Sequence, residues 1–168
     1  KRFNVKFFQH LDEQINALRK LNVEADLILF HPYDWGKWNL NTGSVEDNVL
    51  YLKYLIARLA AYRNVWWSMA NEYDLMNKPD EEWTAYFKTI MQCDPYQHLC
   101  SIHNGREWYD HSKPWITHLS VQTPYLENIQ DWRELYNKPV INDEFVYEGN
   151  IPTDWGHLTP EETVNRFW

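Results

Sequence analysis

The amino-acid sequence predicts an α/β fold that forms part of a (β/α)8 TIM barrel. Helical and strand patterns alternate along the 168 residues, as they do in parallel βα units. Five strands are predicted, whereas a complete barrel has eight strands and about 250 residues. Polar or titratable side chains follow every predicted strand. This favours a barrel, in which all strand ends meet, over the alternative of an open doubly wound sheet.

Short apolar runs bounded by polar segments predict the five strands. They begin with ADLILF and VWWSMA, and the full set covers residues 25–30, 65–70, 99–103, 116–122 and 138–144. Apolar residues at helical spacing predict helices between them, near residues 5–22, 44–59, 80–92 and 129–136. A last helix is expected after Thr159, because a first-turn proline and a capping-box acid, Glu162, follow it.

Charge and cysteine content narrow the classes of function. The formal net charge is −8 and no basic patch is visible, which disfavours a nucleic-acid partner. No run of 18 apolar residues exists, so no membrane span is expected. Cys93 and Cys100 have no His or Cys partner at zinc-ligand spacing. We therefore expect reduced thiols and no metal or cofactor.

Aromatic residues are unusually frequent, with ten Trp, eleven Tyr and seven Phe. Most of these rings are expected in the core. Several Trp residues, however, lie among Gly, Asn, Asp, Lys and Pro, where loops are expected, and loop aromatics often stack on the apolar faces of sugars. Both roles are open at this point for Trp35, Trp38, Trp108, Trp115 and Trp155.

Every predicted strand carries a polar group at its carboxyl end. In chain order these groups are His31, Asn71-Glu72, His103-Asn104, Gln122 and Asp143-Glu144. Each has an ordinary explanation when taken alone, such as a loop histidine, a turn, or a pairing of Asp143 with an arginine behind the sheet. Their coincidence at five strand ends favours one shared site, because those separate explanations are independent of one another.

Glu72 and Glu144 form the most informative pair. Each ends an apolar strand, where a carboxylate costs desolvation energy unless it is used or paired. Glycoside hydrolysis requires two carboxyl groups, one protonated and one ionised, beside the scissile bond. In retaining enzymes the two groups lie about 5 Å apart, and their mutual repulsion separates their pKa values. The pair therefore predicts a retaining glycoside hydrolase.

The segment WSMANE at residues 67–72 resembles the retaining glycoside hydrolases of clan A, the cellulase-like (β/α)8 barrels. In that clan an Asn-Glu pair ends the fourth strand, a second Glu ends the seventh, and a His is frequent after the third. Asn71-Glu72, Glu144 in VINDEF and His31 match these positions. Within the clan, the strings NVWWSMANEYD, SIHNGREWYDHSKPW and YEGNIPTDWG are most similar to bacterial proteins of poorly defined specificity.

The resemblance covers essentially the whole chain and implies a single catalytic-domain fragment over residues 1–168. The chain would run from just before the second helix of the barrel to the seventh, and would contain about strands 3–7 with their helices. Strand 1, most of strand 2 and strand 8 would be absent. The resemblance also implies a β-sandwich domain before the barrel and another small β domain after it in the full-length protein.

The same resemblance implies roles for individual residues. Glu72 would be the acid/base, Glu144 the nucleophile, and Asn71 the partner of the 2-hydroxyl of a carbohydrate substrate, with no cofactor. The other side chains expected to shape the sugar site are His31, His103, Asn104, Gln122, Trp35, Trp108 and Trp155.

One family feature has no clear counterpart, and two other functions stay open. Many clan members place a Tyr near the end of the sixth strand to bond the nucleophile, but here that strand ends at Gln122, with Tyr125 beyond it. A non-catalytic carbohydrate-binding protein would suit the loop aromatics, although it leaves the two glutamates unexplained. A metal-dependent hydrolase on the same barrel often has a His-x-His pair on an early strand, which this sequence lacks.

Overall fold

The computed structural model describes residues 2–34, 36–37, 40–151 and 155–168. Within these ranges the chain is a mixed α/β protein in which helices alternate with parallel strands. The strands are β1 (Ala25–Phe30), β2 (Val65–Ala70), β3 (Cys100–Ser101), β4 (Leu119–Gln122) and β5 (Val140–Glu144). The α-helices are α1 (Val5–Lys20), α2 (Val45–Leu59), α3 (Asp80–Cys93), α4 (Ile129–Tyr136) and α5 (Pro160–Phe167).

The predicted alternation of helices and strands is confirmed, and β1, β2 and α4 have the predicted bounds. Strands β3, β4 and β5 are shorter than predicted. In the segment before β4, the amide of Thr117 bonds to the carbonyl of Cys100, at 2.9 Å, before pairing with β5 begins at Leu119. Apolar character thus extends beyond the residues that form the regular ladder.

The strands pair in chain order. In one sheet β1 pairs with β2 and β2 with β3, and in a second sheet β4 pairs with β5. A parallel bridge between His103 and Ser120 connects the two sheets. Because every pairing is parallel, the carboxyl ends of all five strands lie along one edge.

An aromatic core fills the space between the first sheet and helices α2 and α3. Phe30 stacks on Tyr86 with ring centroids 5.2 Å apart, and Trp83 meets both rings edge to face. Phe87 stacks on Trp115 at 5.7 Å, so Trp115 packs against the core. Of the two roles that the sequence left open for Trp115, it therefore has the core role.

Helices α1, α2 and α5 begin at residues whose side chains cap them. Ser44 accepts a hydrogen bond from the amide of Asp47, and Thr159 accepts one from the amide of Glu162, both at 3.2 Å. These caps satisfy amides that have no partner inside the helix. The helix start predicted at Thr159 is confirmed. None of the described helices combines the length and the apolar character needed to cross a membrane.

A buried carboxylate, Asp94, joins the end of α3 to the sheet. It accepts hydrogen bonds from the indole of Trp67 at 2.9 Å, from the amides of Tyr96 and His98, and from the His98 ring. Its side chain is only 2% exposed. Burial alone would raise the pKa of Asp94, but the hydrogen bonds from Trp67 and His98 lower it below the usual 3.8.

Replacing Asp94 by Ala is expected to destabilise the fold by about 3 kcal/mol, because several buried donors then lose their acceptor. Urea unfolding followed by circular dichroism measures this loss. The difference from the unmodified protein should shrink below pH 3.8, since the contribution of a carboxylate with a lowered pKa is lost as the pH falls through that pKa.

The matched control is Glu81→Ala, at an exposed acid in the first turn of α3, which should cost less than about 1 kcal/mol. Equal losses for the two variants, or a loss at Asp94 that persists unchanged at low pH, would contradict the role assigned to Asp94.

Candidate active site

The carboxyl ends of β2 and β5 bring two glutamates to one open cavity of about 560 Å³. This meeting agrees with the position expected of a site in parallel α/β proteins, at the carboxyl edge of the sheet. The described residues that line the cavity are Ile28, His31, Tyr33, Asn71, Glu72, Glu144 and Tyr147.

Glu72 sits directly after β2 in an unusual backbone conformation. Its φ is 43°, in the left-handed region that residues other than glycine rarely occupy. Burial raises the pKa of its carboxyl group, and the negative charge of Glu144 raises it further. The surroundings of Glu72 therefore favour its protonated form.

Glu144 is surrounded by hydrogen-bond donors. His103 Nε2 lies 3.2 Å from its Oε2, and the indole of Trp155 donates to its Oε1 at 3.4 Å. The hydroxyl of Tyr147 also donates to Oε1. The side-chain amide of Gln122 lies 3.2 Å from Oε2. Such a set of donors fixes the carboxylate in one orientation.

His103 is held between two carboxylates. Its Nδ1 lies 3.0 Å from Asp143 and 3.2 Å from the Ser120 hydroxyl, while its Nε2 faces Glu144. Burial alone would lower the pKa of His103, but the hydrogen bond and the charge of Asp143 raise it above 6.5. Both ring nitrogens thus face protein groups, and the ring tends to be positively charged.

A bulge in the second sheet explains how two consecutive acids reach the same histidine. Val121 pairs with Asn142, whereas the next residue, Gln122, pairs with Glu144, so Asp143 is the extra residue. Successive side chains of a regular strand point to opposite faces, and a bulge breaks this alternation. Asp143 consequently pairs with His103, and not with an arginine behind the sheet.

Asn104 and Gln122 connect the two sheets next to the site. Asn104 Oδ1 accepts the backbone amide of Gln122 at 3.1 Å, and its Nδ2 donates to the Gln122 carbonyl at 3.4 Å. The side chain of Asn104 is therefore engaged with the backbone of β4, and it does not line the cavity. Gln122 contacts His103 and Glu144 through its own amide group.

The loop after β5 supplies aromatic groups to the site. Val146 turns the chain with a φ of 84°, and the next residue is Tyr147. Tyr147 exchanges backbone hydrogen bonds with Trp155 and Leu158, at 3.0 and 3.1 Å. The loop thus folds back on itself, and both aromatic side chains reach Glu144.

Some of the other residues predicted for the site lie at the cavity, and others lie elsewhere. His31 and Asn71 line the cavity. Trp108 instead packs against Trp132 of α4, with ring centroids 4.6 Å apart, and donates to the hydroxyl of Tyr136. The structure thus does not bring Trp108 to the cavity. Trp35 and Trp38 lie outside the described residues.

Two side chains at or next to the site were not predicted from the sequence. Tyr147 donates its hydroxyl to Glu144, whereas Tyr125 is 59% exposed. The sequence signal that could have predicted Tyr147 is its position three residues after the strand-end Glu144 and shortly before a glycine. Asp74 binds the loop that follows β3, and only the three-dimensional structure reveals this contact.

No group of three or more His, Cys, Asp or Glu suited to hold a metal ion is present among the residues that the structure describes. The chemistry available at the cavity is that of two carboxyl groups in different surroundings. One has a raised pKa, and the other is held by several donors.

Comparison with known proteins gives two kinds of match. A family model described as the catalytic domain of apiosidase-like proteins matches residues 1–167. Among solved structures, the chain is similar to a candidate glycoside hydrolase from Bacteroides vulgatus, with 47% identity and a TM-score of 0.91. The match covers 98% of this chain and 34% of that one, so the chain spans about a third of that protein's length.

A glycoside hydrolase of family 5 from the same species is also similar, with a TM-score of 0.71 over 99% of this chain and 41% of that one. At 20% identity this match supports the fold alone. A search of curated proteins found no match.

The charge of His103 is expected to depend on Asp143. Replacing Asp143 by Asn should lower the pKa of His103, because burial then outweighs the remaining hydrogen-bond partners. A raised histidine pKa stabilises the fold fully below 6.5, and this contribution is lost as the pH rises through the folded-state pKa. An NMR titration of the imidazole protons measures the change.

Asp131→Asn, at an exposed acid on α4, is the control and should leave the titration of His103 unchanged. The interpretation is wrong if His103 titrates below pH 6.5 in the unmodified protein, or if its pKa is the same with and without the Asp143 carboxylate.

Proposed function

The chain belongs to the family of apiosidase-like catalytic domains, and from this membership we propose that it carries both catalytic carboxyl groups of a retaining glycoside hydrolase. The observation that supports the proposal most directly is the pair of glutamates, Glu72 and Glu144, at one cavity with different electrostatic surroundings. Two carboxyl groups with separate acid and nucleophile roles are what this reaction requires.

The proposed reaction has two displacement steps. In the first, a carboxylate oxygen of Glu144 attacks the anomeric carbon while Glu72 gives its proton to the departing glycosidic oxygen. The products of this step are a glycosyl ester on Glu144 and a free alcohol. In the second step, Glu72, now ionised, takes a proton from water as the water oxygen attacks the anomeric carbon. The ester bond breaks, and the sugar is released with its original anomeric configuration.

The surroundings of each glutamate suit these roles. A raised pKa keeps Glu72 protonated to higher pH, so that it can act as an acid in the first step. The donors around Glu144 bond to both of its carboxylate oxygens and so hold the group in one orientation. Asn71, which lines the same cavity, would bond the sugar 2-hydroxyl.

His103 has a different role in this scheme from the one expected from the sequence. Its ring nitrogens contact Asp143, Ser120 and Glu144. We assign it to holding Glu144, whereas direct contact with the sugar falls to the residues lining the cavity. His31, Tyr33 and Tyr147 are among these lining residues.

The architecture that fits this proposal is part of a clan A (β/α)8 barrel. Five parallel strands in chain order, with their polar ends along one edge, correspond to strands 3–7 of such a barrel. The remaining strands, and a β-sandwich and a small β domain flanking the barrel, would belong to the full-length protein. The substrate class is a poly- or oligosaccharide, and apiosides are the first candidates because of the family to which the chain belongs.

Substitution of the two glutamates tests the proposal. In the protein at its full natural length, Glu72→Gln and Glu144→Gln should each lower the turnover of a glycoside with a poor leaving group by about 10²–10⁴-fold or more. The assay uses aryl glycosides, including apiosides, and polysaccharides, with product configuration followed by NMR. Glu13→Gln, on the exposed face of α1, is the control and should be fully active.

Azide separates the two roles. With Glu72→Ala it should give a glycosyl azide of retained configuration, and with Glu144→Ala one of inverted configuration. Inversion by the unmodified enzyme, or near-normal rates in either Gln variant, would overturn the assignment. Binding of sugars without turnover would favour a non-catalytic carbohydrate-binding protein.

The hydroxyl of Tyr147 provides an independent test. Tyr147→Phe removes one donor to Glu144 while keeping the ring, and we expect kcat/KM to fall about 10-fold. The control is Tyr125→Phe, at the exposed tyrosine beyond β4, which should change kcat/KM little. A larger loss at Tyr125 than at Tyr147 would show that the donor to Glu144 has been wrongly identified.

A further inference from the structure

We propose that Asp74 is a positioning residue for Glu72, which it holds in place by binding the backbone of the loop after β3. This inference rests on the proposed acid/base role of Glu72. Asp74 lies in the short 3-10 turn Tyr73–Leu75 that directly follows Glu72.

The carboxylate of Asp74 accepts three consecutive backbone amides. Its Oδ1 lies 2.5 Å from the amide of Gly105, and its Oδ2 lies 2.8 Å from that of Arg106 and 3.0 Å from that of Glu107. Bonds from amides to a carboxylate are stronger than those between neutral groups. The turn that carries Glu72 is therefore fastened to the loop that begins at the end of β3.

The backbone of Glu72 needs such support. Its left-handed φ of 43° is unfavourable for a residue with a side chain, so surrounding contacts must stabilise it. The amide of Leu75 bonds to the carbonyl of Glu72, and the amide of Tyr73 bonds to the carbonyl of His103, both at 3.0 Å. Asp74 adds the side-chain connection between the same two segments.

Gly105 shows how closely the loop approaches Glu72. A Cβ atom placed on Gly105 would lie 3.1 Å from Asp74 Oδ1 and 3.3 Å from the Cβ of Glu72. Contacts this short require one of the neighbours to move. The loop thus packs directly against Glu72, and the position of the loop restricts the position of the Glu72 Cβ atom.

The negative charge of Asp74 also raises the pKa of Glu72 and so supports its proposed role as an acid. Burial raises the pKa of Glu72 most, the charge of Glu144 adds to this, and the charge of Asp74 makes a smaller contribution of the same sign. The three amides meanwhile lower the pKa of Asp74 itself, against the effect of its burial, so its charge persists under the conditions of the reaction.

The test compares leaving groups in the protein at its full natural length. For Asp74→Asn, kcat/KM should fall about 10- to 100-fold with the phenyl glycoside of the preferred sugar, because a misplaced acid protonates the leaving oxygen poorly. With the dinitrophenyl glycoside, which departs with little proton transfer, kcat/KM should stay within a few-fold of the unmodified enzyme. For Asp74→Asn, the alkaline limb of the pH dependence of kcat/KM should also move to lower pH.

The control is Asp110→Asn, because Asp110 likewise accepts a backbone amide, that of Ser112, and belongs to the same long connection between β3 and β4. It should leave the leaving-group dependence unchanged. Gly105→Ala gives a second route to the same result, since the added Cβ would press on both the Asp74 carboxylate and Glu72 while the charge of Asp74 is kept. This variant keeps the inference testable if Asp74→Asn does not fold.

Glu72→Gln, measured with the same two glycosides, separates failure of this inference from failure of the proposed function. If Glu72→Gln shows no selective loss with the phenyl glycoside, the acid/base assignment fails. If Glu72→Gln shows that loss but Asp74→Asn and Gly105→Ala behave like the unmodified enzyme, the positioning role is overturned. An equal loss with both leaving groups, together with a lower melting temperature, would overturn it too, because Asp74 would then serve the fold alone.

Discussion

The site depends on the join between β3 and β4. Glu72 follows β2 in the first sheet, whereas Glu144 ends β5 in the second, so their separation is determined where the two sheets meet. At that join the backbone of His103 pairs with Ser120, and the His103 ring lies between Asp143 and Glu144. Because the hydrogen bond and the charge of Asp143 raise the pKa of His103, the positively charged form of this ring is favoured between the two carboxylates.

The regular part of the fold was predictable because burial imposes a simple pattern on it. Strands β1 and β2 were predicted with their observed bounds, since both are short apolar runs between polar segments. The bounds of β3 and β4 were less predictable. Residues near them, such as Ile116 and Ile102, are buried although they stand outside the regular ladder, and the apolar pattern records burial rather than pairing.

The meeting of Glu72 and Glu144 at one cavity could be anticipated, because it follows from parallel strands in chain order. The contacts that orient them could not. The bulge at Val121 and Gln122 lets Asp143 and Glu144 contact the same histidine. No periodic pattern in the sequence predicts such a bulge. The partners of Asp74 and Tyr147 are equally non-local or lie in irregular loops, where side-chain directions depend on turns such as that at Val146.

The loop after β5 has a consequence for how new specificity could arise in this family. Tyr147 lines the cavity and also donates to Glu144, and Trp155 from the same loop donates to the same carboxylate. Under the function proposed above, a substitution that reshaped the cavity to admit another sugar would thus also alter the carboxylate proposed as the nucleophile. Under the same proposal, evolution of substrate choice along this loop would be coupled to catalytic rate.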